Sequence, residues 1–288
     1  MARWYGALRR AIVVGLGTLL AIATYAIAIE PNWLALRTLD LALPHLEPEF
    51  QGYRVAQISD IHLADGGADG MSVKRLHRFV TAINRLSPDL IAITGDFFTV
   101  TPSDYADDLA RELGRLQAND RVVAVLGNHD HWVDPQNVRD ALAAAGVIEL
   151  RNDIYTLERY GQLLTIAGVD DAWQHADDLP HVLTLLPATG ANILLVHEPD
   201  FADTSASTNR FDLQLSGHSH GGQIRLPFVP PLKLPYLAVK YPQGLYRVGN
   251  MLEYTNVGIG TIGLPARLFC RPEVTVFTLK TDLDVNAI

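Results

Sequence analysis

The chain has 288 residues, 48% hydrophobic and 19% charged, with a formal net charge of −9. That suffices for one large domain with a sizeable core, and an acidic balance without a basic stripe excludes nucleic acid as an expected partner. The single cysteine, Cys270, rules out an internal disulfide or a thiolate cluster, and its setting, Leu268-Phe269-Cys270, reads as a small buried hydrophobe.

Residues 11–29 carry no charged side chain and are mostly Ala, Ile, Leu, Val and Gly. A membrane-spanning helix needs roughly 20 such residues. Arg3, Arg9 and Arg10 precede the run, whereas Glu30, Asp40, Glu47 and Glu49 follow it against a single Arg37. This asymmetry places the N-terminus in the cytoplasm and the remainder outside. A cleaved signal peptide is the alternative: Ala26-Ile27-Ala28 offers a small-x-small site, and Arg9-Arg10 has the look of a twin-arginine signal. The run exceeds a typical signal-peptide core, so residues 1–30 are read as an uncleaved anchor. Trp4, Tyr5 and Tyr25 flank it or lie within it, as interfacial aromatics do.

Residues 31–52 predict a lead-in strand and connector. Leu34 and Leu36, then Leu39, Leu41 and Leu43, alternate with a slip near Arg37-Thr38 that reads as a bulge. From Tyr53 to residue 280 the chain reads as one α/β domain, with 281–288 as a tail. Strands are expected over 53–59, 90–94 and 122–126, and a glycine-rich loop at 65–67. Helices are expected over 72–86, 105–116 and 135–145, the last capped by Asp134 and stopped by Gly146. Apolar strands alternating with amphipathic helices are βαβ units with both sheet faces covered. The second half predicts strands at 154–157, 163–169, 193–196, 211–216, 223–226 and 275–280, and a helix over 175–185. Mixed α/β with two sheets describes the whole.

Five polar signatures end five apolar runs: Asp60-x-His62, Gly95-Asp96, Gly127-Asn128-His129-Asp130, His197, and Gly217-His218-x-His220. Ligands bind outside such strand ends in open α/β sheets. Asp, Asn and His without Cys suit Mn, Fe, Zn or Co. Asp60, His62, Asp96, Asn128, His197, His218 and His220 are too many ligands for one ion and fit two, with a carboxylate as bridge.

That order of motifs resembles the calcineurin-like metallophosphoesterases over roughly residues 53–279. The ending Gly217-His218-Ser219-His220-Gly221-Gly222-Gln223, with the apolar N-terminus, is similar to the bacterial membrane-associated branch of phosphodiesterases and UDP-diacylglucosamine hydrolases. The resemblance implies a four-layer α-β-β-α sandwich of two mixed sheets and two divalent ions, manganese favoured. Asp60, His62 and His220 would hold one ion, Asn128, His197 and His218 the other, and Asp96 both. His129 would face the substrate and act on the leaving oxygen, with Asp130 orienting it. The implied reaction is hydrolysis of a phosphodiester or pyrophosphate bond, on a lipid-linked substrate or, alternatively, a soluble one. A non-catalytic scaffold of the same fold is the competing class, against which the intact ligand set stands. The expected protein is a monomer, single-pass in a bacterial cytoplasmic membrane, with its catalytic domain on the outer face. Arg225, His131 and Asn152 are candidate substrate contacts or ordinary polar loop residues. Residues 226–242, apolar and rich in proline, cannot form a regular helix. They read as an active-site lid, a membrane-dipping segment or an acyl-chain wall, or as a loop packed over the second sheet.

Overall fold

Successive side chains of a strand point to opposite faces, and here both faces of the central strands find apolar cover. In β2 (Arg54–Ile58), Val55 enters one core while Ala56 and Ile58 enter another. In β3 (Leu90–Thr94), Leu90 and Ala92 join Val55, and Ile91 and Ile93 join Ala56. The continuous apolar runs of the sequence are the signature of this double burial.

The structure is a computed structural model and describes residues 2–64, 70–99 and 105–281. The expected loop at 65–67 lies outside the described residues, as does the expected tail 281–288 apart from Thr281, which ends a strand. The first sheet contains β1 (Ala35–Leu43), β2, β3, β4 (Arg121–Val125), β5 (Ile148–Glu149) and β12 (Glu273–Thr281), in the order β1-β12-β2-β3-β4-β5. The second contains β6 (Asp153–Arg159), β7 (Gln162–Gly168), β8 (Ala191–Leu195), β9 (Leu213–Ser216), β10 (Gly244–Val248) and β11 (Met251–Thr255), in the order β10-β11-β9-β8-β7-β6. Each mixes parallel and antiparallel pairs. Helices α2 (Val73–Asn84), α3 (Ala106–Leu113) and α5 (Pro135–Ala144) cover the outer face of the first sheet. Helices α6 (Leu179–Leu185) and α7 (Ala202–Ser207) cover that of the second. The inner faces meet in a core that includes Leu43, Val123, Leu164, Ile193, Leu215 and Phe277. The expected four-layer sandwich is the observed one. Among the polar groups that link the sheets, the buried Gln57 amide donates to Thr94 Oγ1 (3.1 Å) and to the Ser216 carbonyl (2.8 Å), just below the strand ends that carry the polar motifs.

Several local expectations need correction. No bulge interrupts β1, whose register with β12 runs unbroken from Ala35↔Glu273 to Leu43↔Thr281. The slip in the leucine pattern arises because Leu36 is exposed at an edge strand and only the far end of β1 is covered. The helix expected over 175–185 starts later, at Leu179, with the Asp178 carboxylate accepting the His181 amide (3.0 Å). Ahead of it, Glu198 accepts the amides of Ala172 (3.2 Å) and Trp173 (3.1 Å), and His175 takes a left-handed backbone that no helix accommodates. Residues 223–226 form no strand but a single bridge, Ile224 to Leu268.

The apolar N-terminus forms α1 (Ala2–Thr24), extended by a π turn (Tyr25–Ile29) and a short 3₁₀ turn (Glu30–Asn32). Within Trp4–Asn32 an 18-residue stretch reaches a mean hydropathy of 2.3, and the helix is long enough to cross a membrane.

Phe277 is fully buried between the sheets, 5.0 Å from Tyr254 ring to ring. Phe277→Ala should cost about 3–5 kcal/mol, read by denaturant unfolding. A change below about 1 kcal/mol would contradict a close-packed intersheet core.

Candidate metal centre

The polar motifs meet because both sheets end at one place. Asp60 and His62 follow β2, Asp96 follows β3, and Asn128 opens the short helix α4 (Asn128–Val133) after β4. From the second sheet, His197 follows β8, and His218 and His220 follow β9. All seven side chains are buried. Six of them form two groups with converging donor atoms, Asp60/His62/His220 and Asp96/His197/His218.

The backbone bends sharply to do this. Asp60, His62, Asp96, His218 and His220 all have φ between 48° and 68°. A non-glycine residue there costs on the order of 1–3 kcal/mol, and Asp, Asn and His tolerate it best among side chains that can bind metal. The flanking glycines allow the close approach. A Cβ on Gly127 would overlap Asp96 Oδ1 and lie 2.8 Å from His197 Nε2. One on Gly217 would overlap Ser59 Oγ and lie 2.6 Å from Asp60 Oδ2.

Hydrogen bonds fix which ring nitrogens face inward. His197 Nδ1 lies 2.7 Å from the Thr94 carbonyl, and His218 Nε2 lies 2.8 Å from the Tyr236 carbonyl. A carbonyl only accepts, so those nitrogens carry the protons. The neutral rings therefore turn lone pairs inward: His197 Nε2 and His218 Nδ1 are 3.1 Å apart, and His197 Nε2 is 3.1 Å from Asp96 Oδ2. In the other group, His62 Nε2 and His220 Nε2 are 3.0 Å apart, and His220 Nε2 is 3.2 Å from Asp60 Oδ1. Asp96 Oδ2 also reaches to 3.5 Å from His62 Nε2, so one oxygen borders both groups. Buried Asn128 Oδ1 has no hydrogen-bond partner among the described residues. Acceptors packed this way repel one another unless cations lie among them, so the donor set fits two divalent ions.

The titration behaviour agrees. Burial alone would raise the Asp96 carboxyl, but His197 beside it holds it well below the usual range. Burial opposes charge on His197, and the Asp96 carboxylate outweighs it, holding the imidazole well above its usual value. Positive charge is favoured at this point, as proton or as metal. Burial lowers His62 to about 3, and burial with the neighbouring His197 lowers His218 to about 3, keeping both rings neutral as ligands must be.

His129 lies at the cavity side of this cluster. Its amide donates to Asp96 Oδ1 (3.0 Å), and its ring sits 5.0 Å from that of His62 and 4.7 Å from that of Trp132. Asp130 does not orient that ring. Its Oδ2 accepts the amides of Asp96 (3.0 Å) and Gly127 (3.0 Å), and its Oδ1 accepts those of Phe97 (2.8 Å) and Phe98 (3.3 Å). The carboxylate thus staples the Asp96 loop to the Asn128 loop. Burial and the charge of Asp96 push it up to about 7, against the pull of the amides.

A cavity of about 650 Å³ opens from the cluster, floored by Asp96, Asn128 and His129 and walled by Trp132, Trp173 and Leu232. None of the three candidate substrate contacts lines it. His131 Nε2 is 2.7 Å from Asp170, in an ion network with Arg139 and Arg151. Asn152 ties loops together through Asp170 N and Ala176 O. Arg225 turns to Gln243 and borders a separate cavity. Trp132 and Trp173 belong to no motif that marks them, although Trp132 stands four residues after Asn128. The Tyr236 carbonyl is a contribution that no residue type can announce.

Asp130→Asn puts two donors opposite two backbone amides. It should therefore lower metal affinity, read by metal titration of the purified chain. A reduced kcat with unchanged metal affinity would instead restore Asp130 as a partner of His129.

The calcineurin-like phosphoesterase family model matches residues 53–222. The metallophosphoesterase YkuE of Bacillus subtilis is 36% identical over 89% of this chain and 89% of its own. The phosphodiesterase YaeI of Escherichia coli is 29% identical over 87% of this chain and 90% of its own. A transmembrane protein with a metallophosphoesterase domain from Danio rerio is 30% identical over 85% of this chain, which spans 57% of that protein. The chain belongs to the calcineurin-like phosphoesterase family and is a metal-dependent phosphoester hydrolase.

Proposed function

We propose that the protein is a membrane-anchored phosphodiesterase or pyrophosphatase acting on a lipid-linked substrate. Asp60, His62 and His220 hold one divalent cation, Asn128, His197 and His218 the second, and Asp96 both, with manganese the favoured metal. The observation that carries this reading is the single cavity in which the ligand cluster forms the floor and Trp132, Trp173, Ile224, Leu232, Leu234 and Leu264 supply apolar wall. A small soluble diester has no use for such walls, whereas an acyl-bearing phosphoester buries against them.

When bound, the two ions make water acidic enough to deprotonate near neutral pH and neutralise charge on the phosphoryl oxygens. The chain's own groups do the remainder. Asp130 and Gly127 fix the Asp96 loop, and Thr94 and Tyr236 fix the tautomers of His197 and His218. Burial lowers the pKa of His129, so at neutral pH it offers the leaving oxygen an N–H hydrogen bond from a neutral ring. Lys233, on the cavity wall, supplies positive charge for a phosphate arriving from the rim.

His129→Ala should keep near-full metal content while kcat falls by roughly 10²–10⁴-fold, and Asp96→Asn should lose affinity for both ions. Loss of a metal equivalent in the His129 variant would make it a ligand. Lipid linkage is tested by comparing kcat/KM for a lipid-linked pyrophosphate and a soluble diester with Mn. Equal values would sink the lipid reading and leave the hydrolase intact. For topology, a reporter active only outside the cytoplasm, fused after Ile288, should be active, because the arginines precede the apolar run. An inactive reporter would place the site on the cytoplasmic face.

A further inference from the structure

The apolar helix is not joined to the domain by a free tether. The Arg267 amide donates to the Ala26 carbonyl (2.9 Å), and the amides of Phe269 and Cys270 donate to the Glu30 carboxylate (3.0 and 2.6 Å). Ala26, Glu30 and Pro31 are buried by this contact. The candidate span continues to Asn32, so the domain grips it before its end; at 1.5 Å per residue the six residues from Ala26 to Asn32 cover roughly 9 Å. Glu30, the first acidic residue after the apolar run, does not demand water at its level, because its carboxylate is fully buried and satisfied by amides. With the helix seated in a bilayer, residues 264–270 are carried to the depth where headgroups meet acyl chains.

That segment is dressed for the position. Leu264 and Phe269, within three residues of Arg267, are exposed. Across the Ile224–Leu268 bridge runs the proline-rich loop, which exposes Leu226, Phe228 and Val229. Phe228 is held in left-handed backbone with its whole side chain in solvent, so it contributes nothing to the core. Charge matches as well. A cavity of about 350 Å³ at the foot of the helix is bordered by Tyr25, Arg225, Phe269 and Arg271, with Glu30 and Glu273 deeper in other bonds. Arg225 bonds the Gln243 amide oxygen, and Arg271 bonds the Trp33 and Leu34 carbonyls while stacking on Trp33 at 4.1 Å. Neither guanidinium has a carboxylate partner among the described residues.

We infer that this face is a second membrane contact: Leu226, Phe228, Val229, Leu264 and Phe269 enter the acyl boundary of the bilayer the anchor spans, and Arg225 and Arg271 meet its anionic headgroups. The inference rests on the reading of Trp4–Asn32 as a span and is independent of which bond is hydrolysed. Its consequence is a route. Leu232 and Leu264 belong to the rim of the catalytic cavity, so a lipid-borne phosphoester reaches the ligand cluster without its chains leaving the membrane.

The test uses the full chain in nanodiscs of phosphatidylcholine with phosphatidylglycerol. An environment-sensitive fluorophore is placed at Phe228→Cys, at Leu264→Cys and, as a control, at Tyr160→Cys, which is exposed on the β6–β7 hairpin. Buried Cys270 sets the background, measured on the unsubstituted chain. Labels at 228 and 264 should be quenched by doxyl groups roughly 5–10 Å below the headgroups, the depth interfacial apolar groups reach, and lose iodide quenching. The label at 160 should behave oppositely. Iodide quenching at 228 and 264 equal to that at 160 overturns the inference. If lipid and soluble substrates are hydrolysed alike while the labels report burial, the substrate reading fails and the docking face stands. A chain that does not stay with the nanodiscs removes both.

Discussion

One carboxylate oxygen organises the site. Asp96 Oδ2 lies within 3.1 Å of His197 Nε2 and 3.5 Å of His62 Nε2, at the border between two groups of ligands, each drawn from both sheets. Its position is fixed from behind by the Asp130 carboxylate, from the side by the absence of a side chain on Gly127, and through its own Oδ1 by the His129 amide. Five ligand residues in left-handed backbone represent strain that a packed sandwich must hold in place. The two-sheet core is the counterweight, and its end is where that strain is spent on chemistry.

The same rigidity extends to the apolar N-terminal helix. Arg267 is fully buried, and its guanidinium donates to the carbonyls of Gly260 (2.8 Å), Val257 (2.8 Å), Gly258 (3.1 Å) and Cys270 (3.1 Å). The loop it holds bonds back to the strand end carrying Asp60, through Gly260 N to Asp60 O (2.7 Å). The Cys270 thiol meanwhile donates to the His220 carbonyl (3.1 Å). The segment that grips the apolar helix therefore also backs two of the ligand residues, which gives the cavity a set orientation relative to the helix axis.

Much of this was legible in the residues. Continuous apolar runs ending in Asp, Asn or His announced buried strands with chemistry at their tips, and their order was enough to recognise the family's pattern. What escaped had physical reasons. Backbone carbonyls such as those of Thr94 and Tyr236 fix histidine tautomers whatever side chain they carry. Asp130 reads as a polar neighbour of His129, but a helix start turns its carboxylate back onto four amides. His131 and Arg225 stand next to motifs in sequence, yet they and Asn152 are taken up by other partners: His131 by the Asp170 carboxylate, Asn152 by the Asp170 amide and Arg225 by Gln243. The leucine slip in β1 recorded uneven cover along an edge strand, not a change of register.

The account turns on two cations sharing Asp96. Electron paramagnetic resonance of the manganese-loaded full chain tests this most directly, because ions joined through one carboxylate are close enough for their spins to couple. The account predicts the spectrum of a spin-coupled manganese pair at full loading. A spectrum of isolated manganese ions only, at every loading, would contradict it.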